Sequence, residues 1–215
     1  CMTHALKFTA EKLRKRLALI RAHRFPRRHM LDPFRMRILP DAGTPPWLDT
    51  PTEGWDELPW NSYWGGPDVH FLLRTSVTVP EDWTGTAALY FPIGTDGDIF
   101  NHPEALLYLD GVAVASVDRH HHLIDLSRGG TRDIALHGWT GLFGWPPDPD
   151  SAEKLFMPPC WLVERNPSLD AWLTLAECAL DSVTVLEDSR PEKPALLSAL
   201  DHSLRVGGRG ITRRR

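Results

Sequence analysis

The sequence predicts a mainly β protein, an antiparallel β-sandwich of jelly-roll type with an N-terminal helix and a C-terminal helix, and three observations carry that class. Between residues 69 and 79 the odd positions Val69, Phe71, Leu73, Thr75, Val77 and Val79 interleave with His70, Leu72, Arg74, Ser76 and Thr78. A period of two gives a strand two unlike faces. Residues 106–109 and 112–117 are apolar runs joined by Asp110-Gly111, the dipeptide a type I′ hairpin favours because both central residues need positive φ. Further runs at 87–93, 121–126, 133–137 and 171–186 read as strands, and many short strands with few helices indicate a sandwich.

The flanking elements follow from other periods. Thr9 is positioned as an N-cap, Glu11 in the first turn, and Phe8 with Leu13 as a hydrophobic staple, which predicts a helix over 9–24. Its Ala10, Leu13, Leu17 and Ile20 form one apolar stripe. Seven prolines between residues 26 and 59 predict an extended, largely irregular connection over 25–60, pinned by Trp47, Trp55, Trp60 and Trp64. A closing helix is expected over 191–206, with Leu196, Leu197, Leu200 and Leu204 on one side, and from Gly207 the tail GGRGITRRR has no apolar period and reads as disordered. The expected organisation is therefore 1–60, a sandwich at 61–190, a helix at 191–206 and a basic tail at 207–215.

Composition narrows the function classes. The chain has 215 residues, 42% of them hydrophobic, with nine Trp, enough for one well-buried domain and an appendage. Its longest apolar runs, 17–20 and 105–109, are far shorter than a membrane span or a signal peptide's apolar core, so no membrane partner is expected. Cys1, Cys160 and Cys178 make no C-x-x-C pair and leave one thiol over in any pairing, which favours a reducing, cytoplasmic setting. The net charge of −4 is segregated: residues 1–37 carry 11 Lys+Arg against 2 Asp+Glu, and residues 38–204 carry 8 against 26. An acidic body argues against nucleic acid as the partner.

Residues 94–126, GTDGDIFNHPEALLYLDGVAVASVDRHHHLIDL, concentrate acids and imidazoles around the hairpin. In an extended 118–124 segment Asp118, His120 and His122 share one face, the i, i+2, i+4 pattern of a β-sheet metal site, but no fourth ligand is evident. A polar ridge hydrogen-bonded to Asp110, Arg119 or Asp125 is the plainer alternative. Asp96 and Asp98 lack the further carboxylates of a calcium loop. No nucleophile elbow, phosphate loop or dinucleotide fingerprint occurs, and no two carboxylates pair by sequence as glycosidase acids. Trp139 and Trp145, in HGWTGLFGW, suit stacking against a pyranose face, with core packing as the competing use.

The run GDIFNHPEALLYLDGVAVASVDRHH followed by ALHGWTG, together with HFLLRTSVTVPEDWTG and ALLSALDHSL in that order, resembles the N-terminal domain of glycoside hydrolase family 38 α-mannosidases of the large cytosolic and vacuolar type. The resemblance covers residues 9 to about 204. It implies a galactose-binding-like β-sandwich that precedes a catalytic domain holding zinc or a similar divalent metal. That catalytic domain's GHAHIDxAW motif has no counterpart here, so the resemblance implies a chain without catalytic residues or cofactor of its own. It also implies docking on the parent enzyme's catalytic domain, possible contact with mannose-containing glycans, and Asn101, His102, Glu104, Asp110, Asp118, Arg119, His120 and His121, with Trp139, as the docking or substrate-cleft surface. An autonomous carbohydrate-binding module is the alternative. The apolar stripes on 10–20 and 196–204 are expected to be exposed and to drive homo-oligomer formation.

Overall fold

The computed structural model describes residues 2–44, 48–94, 102–126, 129–144, 146, 148 and 150–211. Among the described residues it is mainly β with three helices, and the chain divides into a helical unit, residues 1–26 with 165–215, and a β unit, residues 27–164. These limits differ from the expected ones at 60, 190 and 206, because both chain ends contribute to the same helical core.

In the helical unit α1 (Met2–Arg21), α2 (Pro167–Val185) and α3 (Glu192–Ile211) each contact the other two. Ala10, Leu13 and Leu17 of α1 pack with Leu173, Ala176, Leu180 and Val183 of α2 and with Leu197, Leu200 and Leu204 of α3. Both stripes expected to be exposed are therefore buried against α2, which removes the reason to expect them to drive self-association.

That partner helix is itself a correction, since 171–186 reads as a strand by composition. Its start is set locally: the Asn166 side chain accepts the Leu169 N–H at 3.1 Å, Pro167 occupies the first turn, and Asp170 follows at the positive end of the helix dipole. The buried residues 173, 176, 180 and 183 are spaced by three and four, which only a helix places on one side. Asp170 is buried and receives Arg24 Nε on one oxygen and Arg165 Nε, at 2.6 Å, on the other.

The other two helices also differ from expectation at their ends. Thr9 lies inside α1, because residues 2–8 contain no Pro or Gly to prevent the helix from extending backwards. Backbone helix likewise continues through Gly207, Gly208 and Gly210 to Ile211, propagating from packed turns, where disorder is expected from sequence. Among the described residues no helix is long and apolar enough to cross a membrane.

Among its described residues the β unit has twelve strands: β1 (Arg27–Met30), β2 (Phe34–Leu39), β3 (Asp56–Leu58), β4 (Ser62–Trp64), β5 (His70–Val79), β6 (Thr86–Tyr90), β7 (Glu104–Leu109), β8 (Val112–Val117), β9 (Leu123–Asp125), β10 (Gly130–Trp139), β11 (Leu155–Met157) and β12 (Trp161–Arg165), whose last residue already belongs to the helical unit. They form a six-stranded sheet in the order β3-β2-β5-β10-β7-β8, a four-stranded sheet β1-β12-β6-β9 and a β11-β4 pair. Segment 25–60 lies mostly outside regular structure, as expected, but three short strands, β1, β2 and β3, fit between its prolines, with Pro26 before β1 and Pro33 before β2. Buried residues of all three sheets, among them Phe34, Phe71, Leu107 and Leu136, Leu89 and Leu162, and Trp64 and Met157, make one apolar cluster. Trp60 packs against that cluster and donates its Nε1–H to the Leu31 carbonyl at 3.0 Å, while Trp55 covers a smaller cluster around Leu72; Trp47 lies outside the described residues.

Glu164 is the most heavily bonded carboxylate in the β unit among the described residues. Arg27 forks onto it, Nε to Oε2 at 2.6 Å and Nη2 to Oε1 at 2.9 Å, while Thr84 and Gly85 donate backbone N–H at 3.0 and 2.7 Å. The side-chain bond from Arg27 is the main reason its carboxyl is held at about 2, against an ordinary 4.5; burial opposes this and the two amides assist. A depressed carboxyl stabilises the fold fully above its ordinary value and loses that contribution as pH falls through the depressed one. Glu164→Gln should therefore cost roughly 1–3 kcal/mol at pH 7, and its stability should vary less than the parent's between pH 4.5 and about 2. Urea denaturation at several pH values measures both.

Candidate functional site

The register of the six-stranded sheet decides which polar residues share a face. His70 of β5 lies opposite Trp139 of β10, and Leu72 opposite His137. Across β10, Trp139 faces Glu104 of β7 and His137 faces Leu106, which in turn faces Ser116 of β8. His70, His137, Trp139, Glu104 and Ser116 therefore stand on the side of the sheet away from Phe71, Leu107 and Leu136. With Asp118 at the end of β8 they line an open cleft of about 470 Å³.

The site rests on a close approach of strands. A Cβ placed on Gly138 would lie 2.2 Å from the Glu104 carbonyl oxygen, 2.7 Å from Ala105 Cβ and 2.8 Å from Phe71 Cζ. Only glycine lets β7 and Phe71 come this near beneath His137 and Trp139. The far end of β10 is tied to the loop before β5: buried Thr140 donates its hydroxyl to the Gly66 carbonyl at 2.6 Å and accepts the Val69 N–H at 2.9 Å. In that loop Asp68, with its N–H on the Gly141 carbonyl at 2.8 Å, accepts the Trp139 indole N–H at 2.8 Å. The ring is thereby held by its polar edge.

Asp118 organises the turn after β8. Its Oδ1 accepts the backbone N–H groups of His120 and His121 at 2.6 and 2.7 Å, and its Oδ2 lies 2.8 Å from His121 Nδ1. A carboxylate can only accept, so Nδ1 carries the proton. Partial burial penalises this charge, but the His121 ring and the two amides outweigh it and hold the carboxyl at about 2. Asp110 and Gly111 both have positive φ, 50° and 80°, as a type I′ turn requires. Asp110 accepts the Asp133 N–H at 2.9 Å and Arg132 Nη1 at 2.8 Å, and these bonds lower its pKa, the Asp133 amide first.

The remaining sequence candidates separate into two groups. His102 is buried with Nε2 3.4 Å from Oε1 of Glu104, a residue that lines the cleft, but does not line it itself. Arg119 is half-buried, its carbonyl oxygen 3.2 Å from His122 Nδ1, while His120 and His121 are exposed on the same turn. Residues 118–122 form that turn, not a strand, so Asp118, His120 and His122 do not share a strand face; Asp125 is exposed on β9. Among the described residues no three His, Cys, Asp or Glu side chains converge to hold a metal ion. Asp96, Asp98, Asn101 and Trp145 lie outside the described residues.

His70 and His137 are the members that sequence reasoning missed. The signal was available in the alternation of 69–79, which sets His70 against Phe71, but linking it to His137 required the β5–β10 register. Burial lowers the His137 pKa from 6.5, and the nearby His70 charge lowers it further. A lowered imidazole stays neutral around pH 7, offering one donor and one acceptor nitrogen. Scanned against protein-family models the chain matches none, and comparison with curated proteins returns no match.

Two outcomes follow from the geometry. In an NMR titration His137 should change charge below pH 6.5, and His70→Gln should raise its midpoint without restoring the full 6.5, since burial remains; the fold loses stability as pH falls through that midpoint because the unfolded chain binds the proton more readily. Gly138→Ala should destabilise the β unit by about 1–3 kcal/mol through overpacking, measurable by urea denaturation.

Proposed function

We propose that this chain is a non-catalytic β module of an α-mannosidase of the type its sequence resembles, docking on a zinc-bearing catalytic domain and lining one side of the mannoside cleft. The observation that carries the reading is the placement of the resembling block: the segment from His102 to Leu126 forms β7, β8, the Asp118 turn and β9, and brings Glu104 and Asp118 to the same open cleft as Trp139. Exposed His120 and His121 and half-buried Arg119 stand on that turn, where core packing has no use for them. The six- and four-stranded sheets, sharing one apolar cluster, support a jelly-roll sandwich of galactose-binding-like type. Free Cys160 and Cys178 agree with a reducing, cytoplasmic setting.

The chain supplies no nucleophile or metal in this reading; turnover belongs to the domain it docks on. An autonomous carbohydrate-binding module is the second reading, favoured by the cleft itself. Docking is tested by mixing the chain with a separately produced α-mannosidase catalytic region of the resembling type in a sedimentation experiment. A 1:1 complex with a dissociation constant of about 1 μM or tighter is expected, weakened by Arg119→Glu with His120→Glu. No association at tens of micromolar, or association untouched by that double change, defeats the docking surface as assigned.

A further inference from the structure

We infer that the cleft over β5, β10 and β7 is a binding site for one neutral hexopyranoside. This deepens the carbohydrate side of the reading above but does not depend on docking, because every residue used belongs to the β unit alone. Its volume of about 470 Å³ falls in the range of small-molecule sites, about 300–1,000 Å³, and admits a single sugar ring with its bridging waters.

The chemistry of the lining selects the ligand. Trp139 is half-buried, and its N–H is already taken by Asp68 at 2.8 Å. What the indole has left to offer a ligand is its apolar surface, the complement of the C–H face of a pyranose. Around it stand His70, His137, Ser116 and Glu104, which together supply both donors and acceptors for ring hydroxyls. Most of the Asp118 carboxylate's hydrogen-bonding capacity goes to its own turn, so its effect on a ligand is chiefly its negative charge. Neither Lys nor Arg occurs among the described residues of the lining, whereas two carboxylates do. Such a site disfavours phosphosugars and uronates and admits neutral sugars. A metal ion is a poorer fit, since no three ligating side chains converge among the described residues.

The test is an NMR titration of the whole chain with methyl α-mannopyranoside, methyl α-glucopyranoside and mannose 6-phosphate at pH 7.5. A neutral glycoside should bind saturably with a dissociation constant of about 1 mM, shifting the Trp139 indole N–H and the His70 and His137 ring signals, while the phosphosugar should not. Trp139→Ala should weaken binding about tenfold, equivalent to about 1.4 kcal/mol. Trp139→Phe, which keeps a ring while losing the bond to Asp68, should retain most of it, so a fold defect in the alanine variant does not decide the matter. Saturable binding of the glucoside but not the mannoside would uphold the site and count against the mannosidase assignment. No saturable shift with either glycoside, or preference for the phosphosugar, overturns the site and leaves docking untouched.

Discussion

The β unit is closed at its own ends by one charged pair. Arg27 is its first residue and Glu164 its last, and the two guanidinium bonds between them coincide with the start of the β1–β12 ladder. The carboxylate also gathers the backbone of Thr84 and Gly85 just before β6, so three segments distant in sequence meet on two oxygens. Taking such a charge out of water is costly unless its lone pairs are filled, and four donors fill them. That closure fixes the four-stranded sheet, whose Leu89 and Leu162 supply one side of the core on which the six-stranded sheet also rests. Asp170 repeats the device inside the helical unit, where a buried carboxylate holds Arg24 and Arg165 from opposite ends of the chain.

Everything proposed for the cleft hangs on the register of β5, β10 and β7. A slip of one residue would turn His70, His137 and Trp139 toward the core and expose Phe71, Leu136 and Gly138, an exchange the hydrophobic effect forbids. Gly138 sharpens the choice, because no other residue fits against the Glu104 carbonyl at that point. The cleft is thus a by-product of core specification on the opposite face: the same alternation that buries Phe71 and Leu73 displays His70.

The polar block that stands out in the sequence divides its labour. Asp110 and the donors on Asp118 are spent on a turn and its bracing, and this local bonding explains their lowered pKa values without any catalytic role. Glu104 and the exposed imidazoles retain capacity for a ligand or partner. Within this acid-rich, histidine-rich motif a lowered carboxyl pKa therefore reports local turn bonding.

Sequence alone determined the local elements whose causes are local. The β5 alternation, the Asp110-Gly111 turn and the apolar stripes of α1 and α3 all appear where their periods and φ requirements place them, because such signals act within a few residues. The same local logic was present for α2 in Asn166-Pro167 and the spacing of 173, 176, 180 and 183, but an apolar composition hid it. Tertiary structure decided the rest: that residues 1–26 and 165–215 form one unit, that β1, β2 and β3 find sheet partners among the prolines, and that His70 meets His137 and Trp139. Those outcomes depend on which strand or helix lies alongside which, and that is settled by burial summed over the whole core, a quantity no short window of sequence contains.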